Sequence, residues 1–249
     1  MNPENKSLHP LLTLPGAIIV AGAIIAIAII YVKKPVAQPA AVSQEPKIAE
    51  VSMLPITSAD HILGNPDASI KIVEYSDPSC PYCKLFHPTM RKIMDEYGAG
   101  GQVAWVYRSF PLDKPNSQGQ VLHPNAGHES QALECAASLG GNDAFWKFTN
   151  RLYEITQSDK GISLDQKELS NFATYSGLDV TKFNDCLSSG KFKDKVEKSY
   201  LDGINAGVSG TPSSFIITPS GSKIPIVGAQ PYTTIKSAID ALLSDTPSK

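Results

Sequence analysis

The residues best suited to chemistry in this sequence are Cys80 and Cys83, which stand in the segment Ser-Cys-Pro-Tyr-Cys. Two cysteines at this spacing can close and reopen a disulfide, and the thiolate is the nucleophile. They follow the apolar run 70–75 and open a helix-patterned stretch from Lys84 to Tyr97. A sulfur on the first turn of a helix lies near unpaired backbone N–H groups and the positive end of the helix dipole, which both stabilise a thiolate. The pattern therefore predicts reversible thiol-disulfide exchange.

The main alternative is that the Cys-x-x-Cys pair supplies half of a zinc site. A structural zinc ion takes four Cys or His ligands, usually in two closely spaced pairs. The other two cysteines, Cys135 and Cys186, stand far apart in the sequence and do not form a second pair of this kind. Pro81 fits the redox interpretation, because a first-turn residue needs no backbone N–H. We therefore expect neither a metal nor another cofactor at Cys80 and Cys83.

Composition limits the class of protein. A chain of 249 residues can bury one good-sized core, or one core with an insertion. Its 22 basic and 24 acidic residues give a net charge of -2. There is no basic footprint, so the composition does not predict nucleic-acid binding.

The N-terminal region has the pattern of a membrane anchor followed by a linker. After a short tail at 1–10, residues 11–32 contain no charged side chain and match the ~20 residues that a helix needs to span a bilayer. A cleaved signal peptide is the alternative, although its apolar region is usually only about 7–15 residues long. Residues 33–55 are rich in Pro and Ala and predict an extended tether. We therefore predict a single-pass cell-membrane protein with a folded domain at 56–249.

Two opposing signals bear on the side of the membrane that the domain occupies. Lys33 and Lys34 follow the apolar run directly, whereas Lys6 precedes it, and this distribution mildly favours a cytoplasmic domain. An oxidising dithiol and a structural disulfide, however, belong outside the cytosol. We give the chemistry greater weight and predict an extracytoplasmic domain, periplasmic or extracellular.

The domain has the pattern of an α/β fold interrupted by helices. Four runs predict strands, at 70–75, 102–110, 213–218 and 223–227. The helix between the first two makes them a parallel pair with a right-handed crossover. Helical spacing from about 116 to 205 predicts a helical insert, in which Ser163 and Gln166 resemble a capping box. With a closing helix at 232–243 and a turn-rich lead-in at 61–68, the predicted order is β-α-β, insert, β-β-α.

This order resembles a thioredoxin fold with a helical insertion, because Cys-Pro-Tyr-Cys stands at the first strand-to-helix junction and Gly-Thr-Pro just before the third strand. In particular, the sequence is similar to the DsbA-like thiol-disulfide oxidoreductases and to their membrane-anchored subgroup in bacteria. The similarity extends over 59–243, including the segments 64–68, 208–212 and 228–230. Either motif alone would be weak, but the two in this order are specific.

The resemblance implies roles for the residues around the cysteines. Cys80 is expected to be the exposed sulfur that attacks or is attacked, and Cys83 its buried partner. Thr211-Pro212 is expected to form a cis peptide bond opposite the disulfide, with the peptide edge of Thr211 pairing to a bound substrate, whereas the residues alone favour an ordinary trans turn proline. Glu74 is expected to be a buried acid that relays a proton to or from Cys83, whereas the residues alone favour a solvent-facing glutamate on a strand edge.

Three further features concern Tyr82, the second pair of cysteines and two histidines. Tyr82 stands where the best-known DsbA enzymes carry histidine, so the resemblance does not fix the oxidising strength. Some relatives carry a structural disulfide in the insert, which implies a Cys135–Cys186 bond, and two buried free thiols are the alternative. His123 and His128 are interpreted as helix-start or surface residues, and a position near the site is the alternative.

Together these patterns and the resemblance predict a membrane-tethered protein disulfide oxidoreductase that introduces disulfides into exported proteins at Cys80 and Cys83. Its expected partners are exported proteins with free thiols and a quinone-linked membrane protein that reoxidises the dithiol. We expect a monomer. Two alternatives stay open: a disulfide reductase or isomerase of the same fold, since Pro81-Tyr82 does not itself set the direction, and a non-redox, membrane-tethered chaperone or adaptor.

Overall fold

The structure, a computed structural model, describes residues 51–155 and 164–244. The predicted tail, the predicted anchor and most of the predicted linker therefore lie outside the described residues, as does Ser163. Within the two described ranges, no helix is both long enough and apolar enough to cross a bilayer.

A mixed sheet forms the centre of the domain, with five strands among the described residues in the spatial order β1-β3-β2-β4-β5. The strands are β1 His61–Gly64, β2 Ile70–Ser76, β3 Val103–Ser109, β4 Ser213–Ile217 and β5 Lys223–Val227. β2 and β3 are parallel, with Ile70 opposite Val103, and β4 pairs antiparallel with both β2 and β5. The four predicted strands and the parallel pair are confirmed.

Strand β1 corrects the prediction that 61–68 is only a turn-rich lead-in. It pairs antiparallel with the outer edge of β3, where His61 lies opposite Tyr107. A strand of 4 residues is too short for alternation to reveal it, and its conformation is decided by pairing with the free edge of β3.

Six helices surround the sheet among the described residues: α1 Pro81–Ile93, α2 Ala126–Ile155, α3 Gln166–Tyr175, α4 Val180–Ser188, α5 Lys193–Asn205 and α6 Tyr232–Ser244. α1 continues as a π-helical turn at Met94–Gly98, and α2 bends at Gly141, which has a φ of 71°. Helices α2 to α5 form the predicted insert. Its start is later than predicted, because 116–125 is irregular.

The capping box of α3 also differs from the prediction. Asp165 accepts a hydrogen bond from the backbone N–H of Glu168 at 2.8 Å, and the Glu168 side chain accepts one from the backbone of Asp165 at 3.0 Å. Gln166 is instead the first helical residue. Both pairs have the three-residue spacing of the motif, and the buried Leu164 stands just before the cap that is used.

Alternation along β2 divides the core into two halves. Ile70 and Ile72 belong to the half packed with α1, α6 and the insert, and Glu74 shares their strand face. Val73 and Tyr75 belong to the other half. The face that carries Glu74 is therefore the one beneath α1 and its cysteines.

The folded domain includes residues 51–55, which the sequence analysis placed in the linker. Asp202 accepts a hydrogen bond from the backbone N–H of Leu54 at 2.6 Å. The buried Arg108 donates to the carbonyls of Leu54 at 3.1 Å and Pro55 at 3.2 Å. Composition predicted an extended tether here, but a buried guanidinium binds its backbone and fixes it on the domain.

Candidate active site

The turn that follows β2 places Cys80 at the start of α1. Cys80 is the N-cap residue of α1, and Pro81 occupies the first turn. The backbone N–H of Cys80 donates to the carbonyl of Asp77 at 3.0 Å, and the N–H of Lys84 donates to the carbonyl of Cys80 at 3.1 Å. This turn places the Cys80 sulfur at the positive end of the helix. Cys83 follows within the same turn and is fully buried.

The two thiols, which are not bonded to each other in this structure, differ in acidity. A hydrogen bond from Cys83 lowers the pKa of Cys80 to about 6, and a hydrogen bond from the Cys83 backbone acts in the same direction, whereas burial and the charge of Asp77 oppose them. Burial raises the pKa of Cys83 well above its ordinary value, and the charges of Cys80 and Glu74 add to that rise. The pair therefore consists of one thiol that ionises readily, Cys80, and one that stays protonated, Cys83.

Cys80 is less exposed than predicted. Its exposed fraction is 3%, against 0% for Cys83, so the expectation of an exposed sulfur is wrong. The loop that carries Thr211 and Pro212 covers it, and the Cys80 thiol donates to the Thr211 carbonyl at 3.4 Å. The Thr211–Pro212 peptide bond is cis. Tyr82, by contrast, is 62% exposed beside the pair.

Glu74 lies beneath the cysteines and not on a solvent-facing edge. Its side chain is 1% exposed and accepts a hydrogen bond from the indole N–H of Trp105 at 2.9 Å. Burial raises the pKa of Glu74 to about 7, against the lowering effect of hydrogen bonds from Ser76 and Trp105. A carboxyl with this pKa gains and loses its proton near neutral pH, and it acts electrostatically on Cys83.

Sequence reasoning missed Asp77, which is 0% exposed at the end of β2. Its carboxylate accepts hydrogen bonds from the backbone N–H of Ser79 at 2.7 Å, the backbone N–H of Leu112 at 2.8 Å and Nδ1 of His123 at 2.8 Å. The bond to the residue two positions later is the Asx-turn pattern, which Asp-Pro-Ser before Cys80 could have signalled. Asp77 therefore shapes the turn that presents Cys80.

A second missed carboxyl, Glu129, lies on α2 and is also 0% exposed. It accepts hydrogen bonds from the Ser79 hydroxyl at 2.6 Å and from the backbone N–H of Leu164 at 2.9 Å. Burial raises the pKa of Glu129 to about 7. No sequence pattern marks this residue, because a glutamate in the first turn of a helix is ordinary.

The two histidines behave differently. His123 does stand at a helix start, since its carbonyl accepts the N–H of Ala126 at 3.1 Å, but its side chain pairs with Asp77 and so belongs to the site. His128 is exposed. In the part of the chain that the structure describes, no three His, Cys, Asp or Glu side chains are grouped to hold a metal ion.

Cys135 and Cys186 form a disulfide with an S–S distance of 2.05 Å. The bond joins α2 to α4 within the insert. These sulfurs are therefore covalently engaged with each other, and the alternative of two free buried thiols does not describe this structure.

The fold and the dithiol define the class of protein. The sheet is of the thioredoxin type, and Cys80 and Cys83 lie at the start of the helix that follows its central strand. A loop with a cis proline lies against the sulfur of Cys80. A family model described as "Thioredoxin" matches residues 57–241. The chain belongs to that family.

Solved structures place the helical insert among known variants of this fold. BdbD from Bacillus subtilis, in its oxidised form, superposes with a TM-score of 0.65 at 22% identity, covering 78% of this chain and 98% of that one. Wolbachia pipientis alpha-DsbA1 gives a TM-score of 0.63 at 25% identity, covering 77% and 94%. The chain is therefore DsbA-like in fold, which confirms the resemblance.

Sequence relatives are of two kinds. The "Na(+)/H(+) antiporter NhaA 3" of Salinispora tropica is 29% identical over 165 residues, which is 66% of this chain and 22% of that protein. The chain thus spans about a fifth of the length of that relative. A Rickettsia felis protein named "Putative protein-disulfide oxidoreductase" is 23% identical over 217 residues, covering 83% of this chain and 70% of that protein.

Proposed function

We propose that this protein is a thiol-disulfide oxidoreductase that introduces disulfides into exported proteins by exchange at Cys80 and Cys83. The observation that carries the proposal is the unequal acidity of the pair, in which the pKa of Cys80 is about 6 while that of Cys83 is raised. A stabilised Cys80 thiolate favours the reduced protein and therefore the transfer of its disulfide to a substrate. The name of the Rickettsia felis relative supports the same reaction class.

The exchange has two steps. A substrate thiolate attacks the Cys80 sulfur of the Cys80–Cys83 disulfide, a mixed disulfide forms at Cys80, and the sulfur of Cys83 leaves with the electron pair. A second substrate thiolate then attacks the substrate sulfur of the mixed disulfide, and Cys80 leaves as a thiolate. The substrate loses two electrons, and the Cys80–Cys83 pair gains them.

Glu74 supplies the proton that the first step requires. Cys83 leaves in a fully buried position, where burial disfavours a thiolate. Glu74 is buried on the face beneath α1, and its pKa of about 7 lets it hold a proton near neutral pH. Protonation of Cys83 by Glu74 leaves one negative charge in the buried site and makes the release of Cys83 favourable.

The loop of Thr211 and Pro212 positions the substrate. Its contact with the Cys80 sulfur at 3.4 Å brings a backbone edge next to the reacting atom, where an extended peptide can pair with it. The same loop leaves Cys80 only 3% exposed. A flexible, unfolded chain can enter this narrow approach more readily than a folded surface, which suits substrates that have not yet folded.

The cellular setting belongs to the same proposal. The apolar segment 11–32 would anchor the chain, with the catalytic domain outside the cytosol. The disulfide between Cys135 and Cys186 supports that side of the membrane, because such bonds persist in oxidising compartments. The reduced dithiol would then be reoxidised by a membrane protein, quinone-linked by the family resemblance.

Oxidative refolding of a reduced, unfolded protein by the full-length oxidised chain tests the proposal. We expect stoichiometric disulfide transfer by the wild type and none by Cys80→Ser. Cys83→Ser, mixed instead with a disulfide-bonded substrate, should accumulate a mixed disulfide, because its Cys80 thiolate attacks the substrate disulfide and no Cys83 thiol is present to resolve the product. Transfer that survives in Cys80→Ser would overturn the proposal. Suppression of substrate aggregation by both variants, without any disulfide transfer by the wild type, would favour a chaperone instead.

A further inference from the structure

We propose that His123 is a positioning residue for the exchange reaction: its pairing with the buried Asp77 holds the turn before Cys80 and cancels a negative charge that would oppose the Cys80 thiolate. The inference rests on the proposed function in one respect, namely that Cys80 is the exchanging sulfur. It does not depend on the direction of exchange.

The first step of the argument is the burial of Asp77. A carboxylate that is 0% exposed is costly unless it is fully hydrogen-bonded and its charge is compensated. Two of its donors are the backbone N–H groups of Ser79 and Leu112, which carry no net charge. The third donor, Nδ1 of His123 at 2.8 Å, is the one that can carry a compensating positive charge.

The second step is that the backbone fixes His123 in this place. Its N–H donates to the carbonyl of Leu112 at 3.0 Å, and its carbonyl accepts the N–H of Ala126 at 3.1 Å. Asp77 therefore binds both ends of the loop that leaves at Leu112 and returns at His123. The contact joins this loop, the first turn of α2 and the turn that presents Cys80.

The third step is the charge balance around the sulfur. The charged and titratable groups that act on His123 are Asp77 from the turn after β2, Cys80 from the start of α1 and Glu129 from α2. Each of them favours the imidazolium. The hydrogen bond to Asp77 makes the largest contribution to the raised pKa of His123. Asp77 disfavours the Cys80 thiolate. Because electrostatic coupling is reciprocal, a protonated His123 favours that thiolate.

A pH dependence follows from this arrangement. Below its pKa, His123 is an imidazolium and offsets Asp77, so that Cys80 is more acidic and the pair is more oxidising. Above that pKa, His123 is neutral, and the charge of Asp77 acts on Cys80 without compensation. The effect of removing His123 on the acidity of Cys80 should therefore be measurable at pH 6 and absent at pH 9. A merely structural role of His123 would give the same effect at both pH values.

The experiment compares the full-length chain with His123→Gln, whose amide can still bind Asp77, and with His128→Gln, which removes an exposed histidine. The readouts are the pH profile of Cys80 alkylation in the reduced protein and the equilibrium constant with glutathione. We expect His123→Gln to raise the pKa of Cys80 by about half a unit to one unit, and to shift the equilibrium at pH 6 by about 1.5-fold to twofold toward the disulfide form. His128→Gln should match the wild type.

A charge-retaining variant keeps the inference testable if His123→Gln does not fold. His123→Lys keeps its charge at pH 9 and should be about threefold to tenfold more oxidising than the wild type there, but similar to it at pH 6. Equal values for His123→Gln and the wild type at pH 6, or a difference that persists at pH 9, would overturn the inference alone. Exchange activity that survives in Cys80→Ser would instead overturn the proposed function.

Discussion

Replacement of Glu74 by Gln should stabilise the protein as the pH rises. The amide keeps the shape of the side chain, can accept the Trp105 hydrogen bond and can donate to Ser76, but it cannot ionise. In the wild type, burial raises the pKa of Glu74 from 4.5 to about 7. Between these values the folded protein keeps a proton that the unfolded chain has lost, so wild-type stability falls with pH. The complete shift corresponds to about 3 kcal/mol above pH 7.

Urea unfolding of the oxidised protein at pH 4.5 and pH 8 measures this effect, because neither active-site cysteine titrates when the disulfide is closed. The difference in unfolding free energy between Glu74→Gln and the wild type should increase by about 3 kcal/mol from the lower to the higher pH. The exposed Glu154→Gln serves as the matched control and should show little change. A pH-independent difference for Glu74→Gln would refute the argument that this carboxyl is desolvated.

Other perturbations test the remaining contacts. Arg108→Met removes the cationic partner of the buried Asp202 and of the partly buried Asp60 and should cost about 3–5 kcal/mol in urea unfolding, whereas a loss below about 1 kcal/mol would show that the cluster is solvated. Cys135→Ser combined with Cys186→Ser removes a link across 51 residues and should cost about 4 kcal/mol with disulfide transfer intact. Loss of transfer in that folded variant would mean that the second disulfide takes part in the exchange.

The stability cost of Glu74 also explains why a carboxyl at this position indicates a functional role. An amide would be the more stable choice at neutral pH, so a buried carboxyl is a structural liability that fits a proton-transfer role. Trp105 and Ser76 hold it in place. Glu129, whose pKa burial also raises to about 7, carries a similar stability cost above that pH.

The sequence predicted the parts of the fold that have a strong local signal. The strands beginning at Ile70 and Ser213 are apolar, lie in the centre of the sheet and have turn residues beside them, so their pattern is clear. β1 was missed because its 4 residues depend on pairing with β3. The anchoring of 51–55 was missed because it depends on Arg108 and Asp202, which are distant in sequence.

The residues of the candidate site likewise divide into those that sequence motifs identify and those that only the fold brings together. Cys80, Cys83, Thr211 and Pro212 could be singled out because they stand in short motifs whose order along the chain is informative. His123 could not be assigned to the site, because its partner Asp77 lies 46 residues away in sequence and only the fold brings them together. The exposure of Cys80 was overestimated for a related reason, since the loop that covers it comes from the far end of the chain.

The measurement that tests the central claim most directly is the reduction potential of the Cys80–Cys83 pair in the full-length chain, equilibrated against glutathione. A disulfide donor requires a potential above that of the cytosolic glutathione pool, and the proposed function predicts a value of roughly -200 mV or higher; a Cys80 thiolate stabilised to a pKa of about 6 shifts the potential in that direction. A potential near roughly -270 mV, the value of thioredoxin, would mean that the domain reduces its targets, and it would contradict the proposed oxidase function.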